Sequence, residues 1–158
     1  MVDSAVNLLK SRIKAKHALI DAQLDKEVQI IAVAGELRQV FSNLLSNSLD
    51  AIDERGVIKL RLTSHNNHVR VTIADNGKGI PRNIRGRIFE PLFTTKSTVG
   101  TGLGLWVSQQ IIEKHKGTIR VRSSSEGLCR GATFSIVLPV QHQPVESRLA
   151  MASVADGD

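Results

Sequence analysis

Two glycine-punctuated loops constrain this chain more than any other feature. The first, Thr72-Ile73-Ala74-Asp75-Asn76-Gly77-Lys78-Gly79-Ile80, ends a run in which Val69, Val71 and Ile73 alternate with polar residues. The second, Gly100-Thr101-Gly102-Leu103-Gly104, opens a stretch of helical spacing that runs from Gly102 to about Lys116, with Gly117 as its stop. One loop closes a strand and the other starts a helix, so the chain must mix both elements around a common point. Together they predict a pocket in which bare backbone approaches a ligand, with one carboxylate on one side and a helix N-terminus on the other.

That pairing is chemically selective. A carboxylate accepts hydrogen bonds and donates none. Adenine offers it an exocyclic amine, whereas guanine presents a carbonyl oxygen at the equivalent place. A helix N-terminus favours phosphate. The expected ligand is ATP.

Residues 36–52 give the clearest helix, with Leu37, Val40, Phe41, Leu44, Leu45, Leu49 and Ile52 on one stripe. Glu36, Asn43, Asn47 and Asp50 fall within an arc of about 60° beside that stripe, anchored by the core yet able to face a cleft. Val6, Leu9, Ile13, Ile20 and Leu24 predict another helix over residues 4–24, capped by Asp3 or Ser4, and Val28 to Val33 a short strand. Ile58, Leu60 and Leu62 alternate with Lys59 and Arg61, and should pair with Val69–Ile73 as a hairpin across His65-Asn66-Asn67-His68. Two more strands start at Ile119 and end at Pro139. The expected fold is an α+β two-layer sandwich: a mixed, mostly antiparallel sheet of about five strands, about three helices on one face, and a flexible lid. Residues 1–140 form one domain in this reading, and 141–158, which show no sustained period, a mobile tail.

Apolar residues make up 41% of the chain and charged residues 23%, ordinary for a globular protein, while aromatics at 3% require an aliphatic core. No apolar run approaches the roughly 20 residues that span a bilayer, and no signal peptide opens the chain, so a cytoplasmic setting is expected, if need be as part of a membrane-bound sensor. The single Cys129 excludes an internal disulfide. The formal charge of +6 gathers in Lys10, Arg12, Lys14 and Lys16, read as a solvated helix face, and in Arg82, Arg85, Arg87 and Lys96, placed to neutralise a triphosphate. Neither cluster shows aromatic interleaving of the kind that single-stranded nucleic acid uses, which argues against nucleic acid.

Four segments stand in order: Asn43-Leu44-Leu45-Ser46-Asn47, Asp75-Asn76-Gly77-Lys78-Gly79, Ile88-Phe89-Glu90-Pro91-Leu92-Phe93-Thr94-Thr95-Lys96, and Gly100-Thr101-Gly102-Leu103-Gly104-Leu105. From about residue 30 to Pro139 this set resembles the catalytic ATP-binding domain of two-component sensor histidine kinases, with its asparagine, first glycine, phenylalanine and second glycine boxes. The resemblance implies the Bergerat fold shared with type II topoisomerases, mismatch-repair ATPases and heat-shock chaperone ATPases. It implies that Asn47 binds Mg²⁺, that Asp75 holds the adenine amine, and that Gly77 and Gly79 let the base approach. Thr133 would stand near the adenine, and Lys96 with Gly100, Thr101, Gly102, Leu103 and Gly104 would contact the phosphates. Asn43, Asp50, Ile80, Phe93, Thr94 and Thr95 complete the expected nucleotide set, and Asn43, Asn47 and Lys96 the catalytic one. Mg²⁺ dehydrates reluctantly, so one amide oxygen, phosphate oxygens and waters make a sensible shell.

Asn43 discriminates among relatives. ATP-hydrolysing members resemble one another in placing a glutamate one turn before the magnesium asparagine, as base for water. An amide cannot take that proton, whereas a neutral imidazole needs no base to attack phosphorus. Glu36 lies too far along the helix to substitute and reads as a first-turn acid. The sequence therefore favours transfer to a histidine, with a regulatory ATP-binding module or a topoisomerase-type ATPase as alternatives. Residues 81–99 are the expected lid, anchored by Ile84, Ile88, Phe89, Leu92 and Phe93. None of His17, His65, His68, His115 and His142 stands in a phosphoacceptor pattern, and His115 reads as a cation at a helix end. The expectation is a monomeric catalytic domain. Its partner is the histidine-bearing dimerisation domain of the same kinase, and a response regulator follows indirectly.

Overall fold

A computed structural model describes residues 1–25, 30–96, 100–127 and 130–140. Its elements run α1 (Val2–Leu8), α2 (Lys10–Ala15), β1 (Leu19–Leu24), α3 (Ala34–Ala51), β2 (Val57–His65), β3 (His68–Asp75), α4 (Arg82–Arg85), α5 (Gly104–Lys114), β4 (Thr118–Ser124) and β5 (Gly131–Pro139). The sheet order is β1-β2-β3-β5-β4, with β1 parallel to β2 and every other pair antiparallel. The helices pack on one face of this open mixed sheet, as expected.

The N-terminal segment differs from the single helix that its spacing predicts. Leu9 interrupts it at φ −100°, ψ 8°, and His17 at φ +50° turns the chain out of helical geometry. Residues 19–24 then form the edge strand β1, Ile20 opposite Ile58 and Leu24 opposite Leu62. Ile20 and Leu24 are four residues apart, a spacing that shares a face in a helix and equally in a strand. The strand expected over Val28–Val33 does not form among its described residues: Ile30 to Val33 carry no regular structure, and Ile31 and Val33 are half exposed. Val28, Cys129 and the proposed tail lie outside the described residues.

The core is aliphatic. Leu37, Val40, Leu44, Leu45 and Leu49 of α3 are buried against Ile58 and Leu60 of β2, Val69, Val71 and Ile73 of β3, and Phe134, Ile136 and Leu138 of β5. Truncating such a leucine costs about 2–5 kcal/mol. The β2–β3 turn is two residues, Asn66 and Asn67, both at positive φ, the mirror-image turn that suits strand twist. Among the described residues no helix is long and apolar enough to cross a membrane.

Candidate functional site

A cleft of about 580 Å³ opens between the C-terminal half of α3, the loop after β3, the start of β5 and the N-terminus of α5. Asn47, Asp50 and Ala51 form one wall; Ile80, Ile88 and Phe134 give an apolar floor; Phe93, Thr94, Thr95 and Lys96 close it from the segment between α4 and α5. Its size suits a nucleotide-sized molecule.

Asp75 ends β3 inside this cleft. Its Oδ1 accepts from the backbone N–H of Gly77 at 3.0 Å and of Ala132 at 3.2 Å, and its Oδ2 accepts from Ser48 Oγ at 3.1 Å. Burial pushes the carboxyl above its ordinary value, and the three hydrogen bonds offset only part of that rise. A carboxylate has about four lone-pair sites. Three are used, which leaves room on Oδ2 for one further donor. Ser48, buried on α3 beside the asparagine segment, escaped the sequence reading because a serine mid-helix carries no distinctive pattern.

The two glycines of this loop are required by the protein's own packing. A Cβ on Gly77 would stand 2.4 Å from the carbonyl oxygen of Ala51, and one on Gly79 would stand 1.9 Å from that of Ser124. Gly79 also adopts φ +70°. The close approach that their spacing predicts is therefore made by the chain's own backbone. Gly79 lines the cleft; Gly77 lies behind Asp75.

Thr133 does not face the cleft. Along β5 alternate residues point to opposite faces, and Ala132 and Phe134 take the cleft side. Thr133 instead borders a smaller polar hollow with Asp75, Arg122, Ser124 and Arg130. The cleft-facing position beside Asp75 is thus an alanine without a hydroxyl.

At the other end Lys96 Nζ donates to Asn47 Oδ1 at 3.1 Å and pairs with Asp50. Asp50 also pairs with Arg12 of α2, whose Nη1 donates to Ser46 Oγ at 2.7 Å. Burial raises the Asp50 carboxyl, but Lys96 and Arg12 outweigh it and hold the group below its ordinary value. Arg12 and Lys16, which donates to the carbonyl of Ile52, therefore tie the N-terminal segment to α3, where a merely solvated face was expected.

Asn43 is not among the cleft-lining residues. Its Nδ2 donates to the Gly104 carbonyl at 3.1 Å and to Ser108 Oγ at 3.3 Å, fixing the first turn of α5. Leu103, at the N-cap of α5, offers no side-chain cap, so the first amides of α5 remain available beside Gly102 and Gly104, which do line the cleft, as do Gly100 and Thr101. Glu36 pairs with Lys114 at the far end of the same helix. His115 Nε2 accepts from the Val33 N–H at 3.1 Å while its Nδ1 faces the Ile111 carbonyl at 2.8 Å. The same Nε2 lies 3.7 Å from Glu36 Oε2.

Only Lys96 of the second basic cluster lines the cleft. Arg85 donates to the Ile80 carbonyl, and Arg87 pairs with Glu90 and lies 4.6 Å from the Phe93 ring centroid. Ile88 is buried and Phe89 packs on the core, but Leu92 is 72% exposed at φ +64° and anchors nothing. The structure thus brings Asn47, Asp50, Asp75, Gly79, Ile80, Phe93, Thr94, Thr95, Lys96, Gly100, Thr101, Gly102 and Gly104 to one cleft, and leaves Asn43, Gly77, Leu103 and Thr133 outside its lining.

Comparison with known proteins agrees with this geometry. Residues 32–142 match the family described as histidine kinase-, DNA gyrase B- and HSP90-like ATPases. The signal transduction histidine-protein kinase AtoS of Escherichia coli strain K12 is 43% identical over 124 residues, covering 77% of this chain but 20% of AtoS. The catalytic domain of histidine kinase ThkA in a nucleotide-free form superposes with a TM-score of 0.77 at 30% identity, covering 87% of this chain and 90% of that one. Full-length ShkA in complex with AMPPNP superposes at 0.75 with 27% identity, over 90% of this chain and 30% of ShkA.

Proposed function

This chain belongs to the histidine kinase-, DNA gyrase B- and HSP90-like ATPase family, as the ATP-binding catalytic domain of a histidine kinase, and from that premise we propose how its cleft holds ATP for transfer to a histidine. The observation that carries the reading is the one unspent acceptor site on Asp75 Oδ2, half-buried beside an apolar floor. It suits the adenine exocyclic amine and rejects the guanine carbonyl, which would face a carboxylate with no proton between them.

With the base at Asp75, the triphosphate runs toward α5 and Lys96. The uncapped amides at Gly104 and Leu105 suit phosphate oxygens, and Lys96 supplies a positive charge. Asn47 is the residue to hold Mg²⁺. Its Oδ1 already accepts from a cation, Lys96, and among the described residues no group of three carboxylate, histidine or cysteine side chains competes for a metal. That donor set fits an ion that keeps waters and phosphate oxygens; when bound, it would neutralise charge on the β- and γ-phosphates. Asn43, held against α5, is a positioning residue and has no basic group with which to activate water.

In the transfer a neutral imidazole lone pair forms an N–P bond in line as the bridging O–P bond breaks, and ADP leaves with that electron pair. The acceptor histidine belongs to a dimerisation domain outside these residues, and a response regulator receives the phosphoryl later. The chain spans about a fifth of AtoS, so the whole protein's substrates and partners rest on this proposal. The test is calorimetric titration with ATP and GTP, with and without Mg²⁺, followed by radiolabelled ATP with a histidine-bearing hairpin in trans. ATP preference, Mg²⁺ dependence and a labelled hairpin are expected. Binding without label would leave an interaction module, and steady phosphate release would revive an ATPase.

A further inference from the structure

The sheet face opposite the helices carries a charge pattern that nucleotide binding does not use. Cross-strand register aligns Lys59, Ala74, Thr133 and Arg122 in one row, and Arg61, Thr72, Ser135 and Arg120 in the next. In both rows the long cations stand on β2 and on the edge strand β4, with β1 lying outside β2, and the two strands between them, β3 and β5, carry small side chains. Lys59, Arg61, Arg120 and Arg122 are exposed, and among the described residues none of them makes an ion pair. Arg70 extends the positive face one row further, next to Val137. Asp21, at the edge beside Lys59, is the one acid in these two rows.

Three strand intervals separate the basic walls, roughly 14 Å between backbones. The floor is low because alanine, serine and threonine are short, and the walls are high because arginine and lysine are long. An α-helix with small side chains downward is about 10–12 Å across, so it can lie along the strands with both flanks against cations. We propose that this trough is a docking surface for an acidic helix of a partner protein, with Glu or Asp along both edges and small residues on the face between them. A bilayer is a poorer occupant, because the floor offers no large apolar side chain to insert. Single-stranded nucleic acid is poorer too, because the rows contain no aromatic for stacking.

The probe is a synthetic alanine-rich helix with Glu along two opposite edges, titrated into the full chain and read by backbone amide shifts. Shifts at Thr72, Ala74, Thr133 and Ser135 are expected, and affinity should fall as salt rises. The double variant Arg61→Glu, Arg120→Glu should weaken binding by about tenfold or more while ATP titration is unchanged, which shows the variant folded. A helix with Gln in place of Glu should not bind. No binding, shifts confined to other surfaces, an unaffected double variant, or tighter binding of phosphatidylglycerol vesicles or oligonucleotide at equal salt would each overturn the proposal.

Discussion

Lys96 Nζ donates to Asn47 Oδ1 at 3.1 Å, so the cation of the lid segment occupies the amide oxygen assigned to the metal. The same ammonium pairs with Asp50. With Mg²⁺ held at Asn47 as proposed, nucleotide entry is expected to shift Lys96 from Asn47, and Asp50 to set how readily it leaves. Asp50→Asn should speed amide hydrogen exchange across residues 90–96 in the nucleotide-free protein. The pair is partly exposed, so global stability should shift by no more than about 1 kcal/mol. Unchanged exchange would mean that Asp50 does not restrain the segment.

Ser48→Ala tests the support of Asp75 without touching its charge. The hydroxyl is buried and donates to Oδ2. Its loss should cost about 0.5–1.5 kcal/mol of ATP affinity, up to roughly tenfold. Asp75→Asn should cost more, on the order of 1–3 kcal/mol, because an amide also puts a donor where the acceptor is needed. Calorimetry on both variants gives the order, and a Ser48 variant worse than Asp75→Asn would contradict it.

Acid should separate the two carboxylates. Asp75 is raised above 3.8 by burial, so its contribution to stability is full below that value and is lost as pH rises through the higher folded pKa. Binding has the opposite sign, since the adenine amine needs the ionised acceptor. ATP affinity should therefore fall, on acidification from neutral pH, through a pKa above 3.8. Asp50 is lowered below 3.8; its stabilising pairings persist above its unfolded value and disappear as pH falls through the lower folded one. Calorimetry against pH should show affinity lost before melting records the loss of the Asp50 pairings. Removing the Ser48 hydroxyl, which lowers the Asp75 pKa, should move the affinity loss to higher pH.

The site's principal residues were legible because each belongs to a spaced set: Asn47 and Asp50 share one helix edge, and Asp75 follows a strict alternation. What escaped was orientation. Ile20 and Leu24 fit a helix and a strand equally, and only pairing with β2 decides between them. Thr133 and Ala132 are neighbours, so a shift of one residue exchanges the cleft for the opposite face. The arginines near the lid read as countercharge because sequence shows their number, not that Glu90, Phe93 and the Ile80 carbonyl already engage two of them. The partner of His115 was hidden for a similar reason, since Val33 is 82 residues away.

Gly79 offers the sharpest test of what the first glycine loop is for. If it served only to admit a base, alanine there would weaken ATP binding and leave folding alone. Its backbone is at φ +70°, and the added Cβ would fall 1.9 Å from the Ser124 carbonyl oxygen, a contact that no rotamer can relieve. A left-handed non-glycine costs about 1–3 kcal/mol, and displacing backbone adds to that, so Gly79→Ala should destabilise the fold by about 2–5 kcal/mol. Gly86→Ala is the control: no heavy atom lies within 4 Å of its Cβ, and φ is −68°. It should be neutral or slightly stabilising. Denaturant unfolding should give a lower midpoint at unchanged slope for Gly79→Ala alone. Equal midpoints in the two variants would return the loop to a purely ligand-facing role.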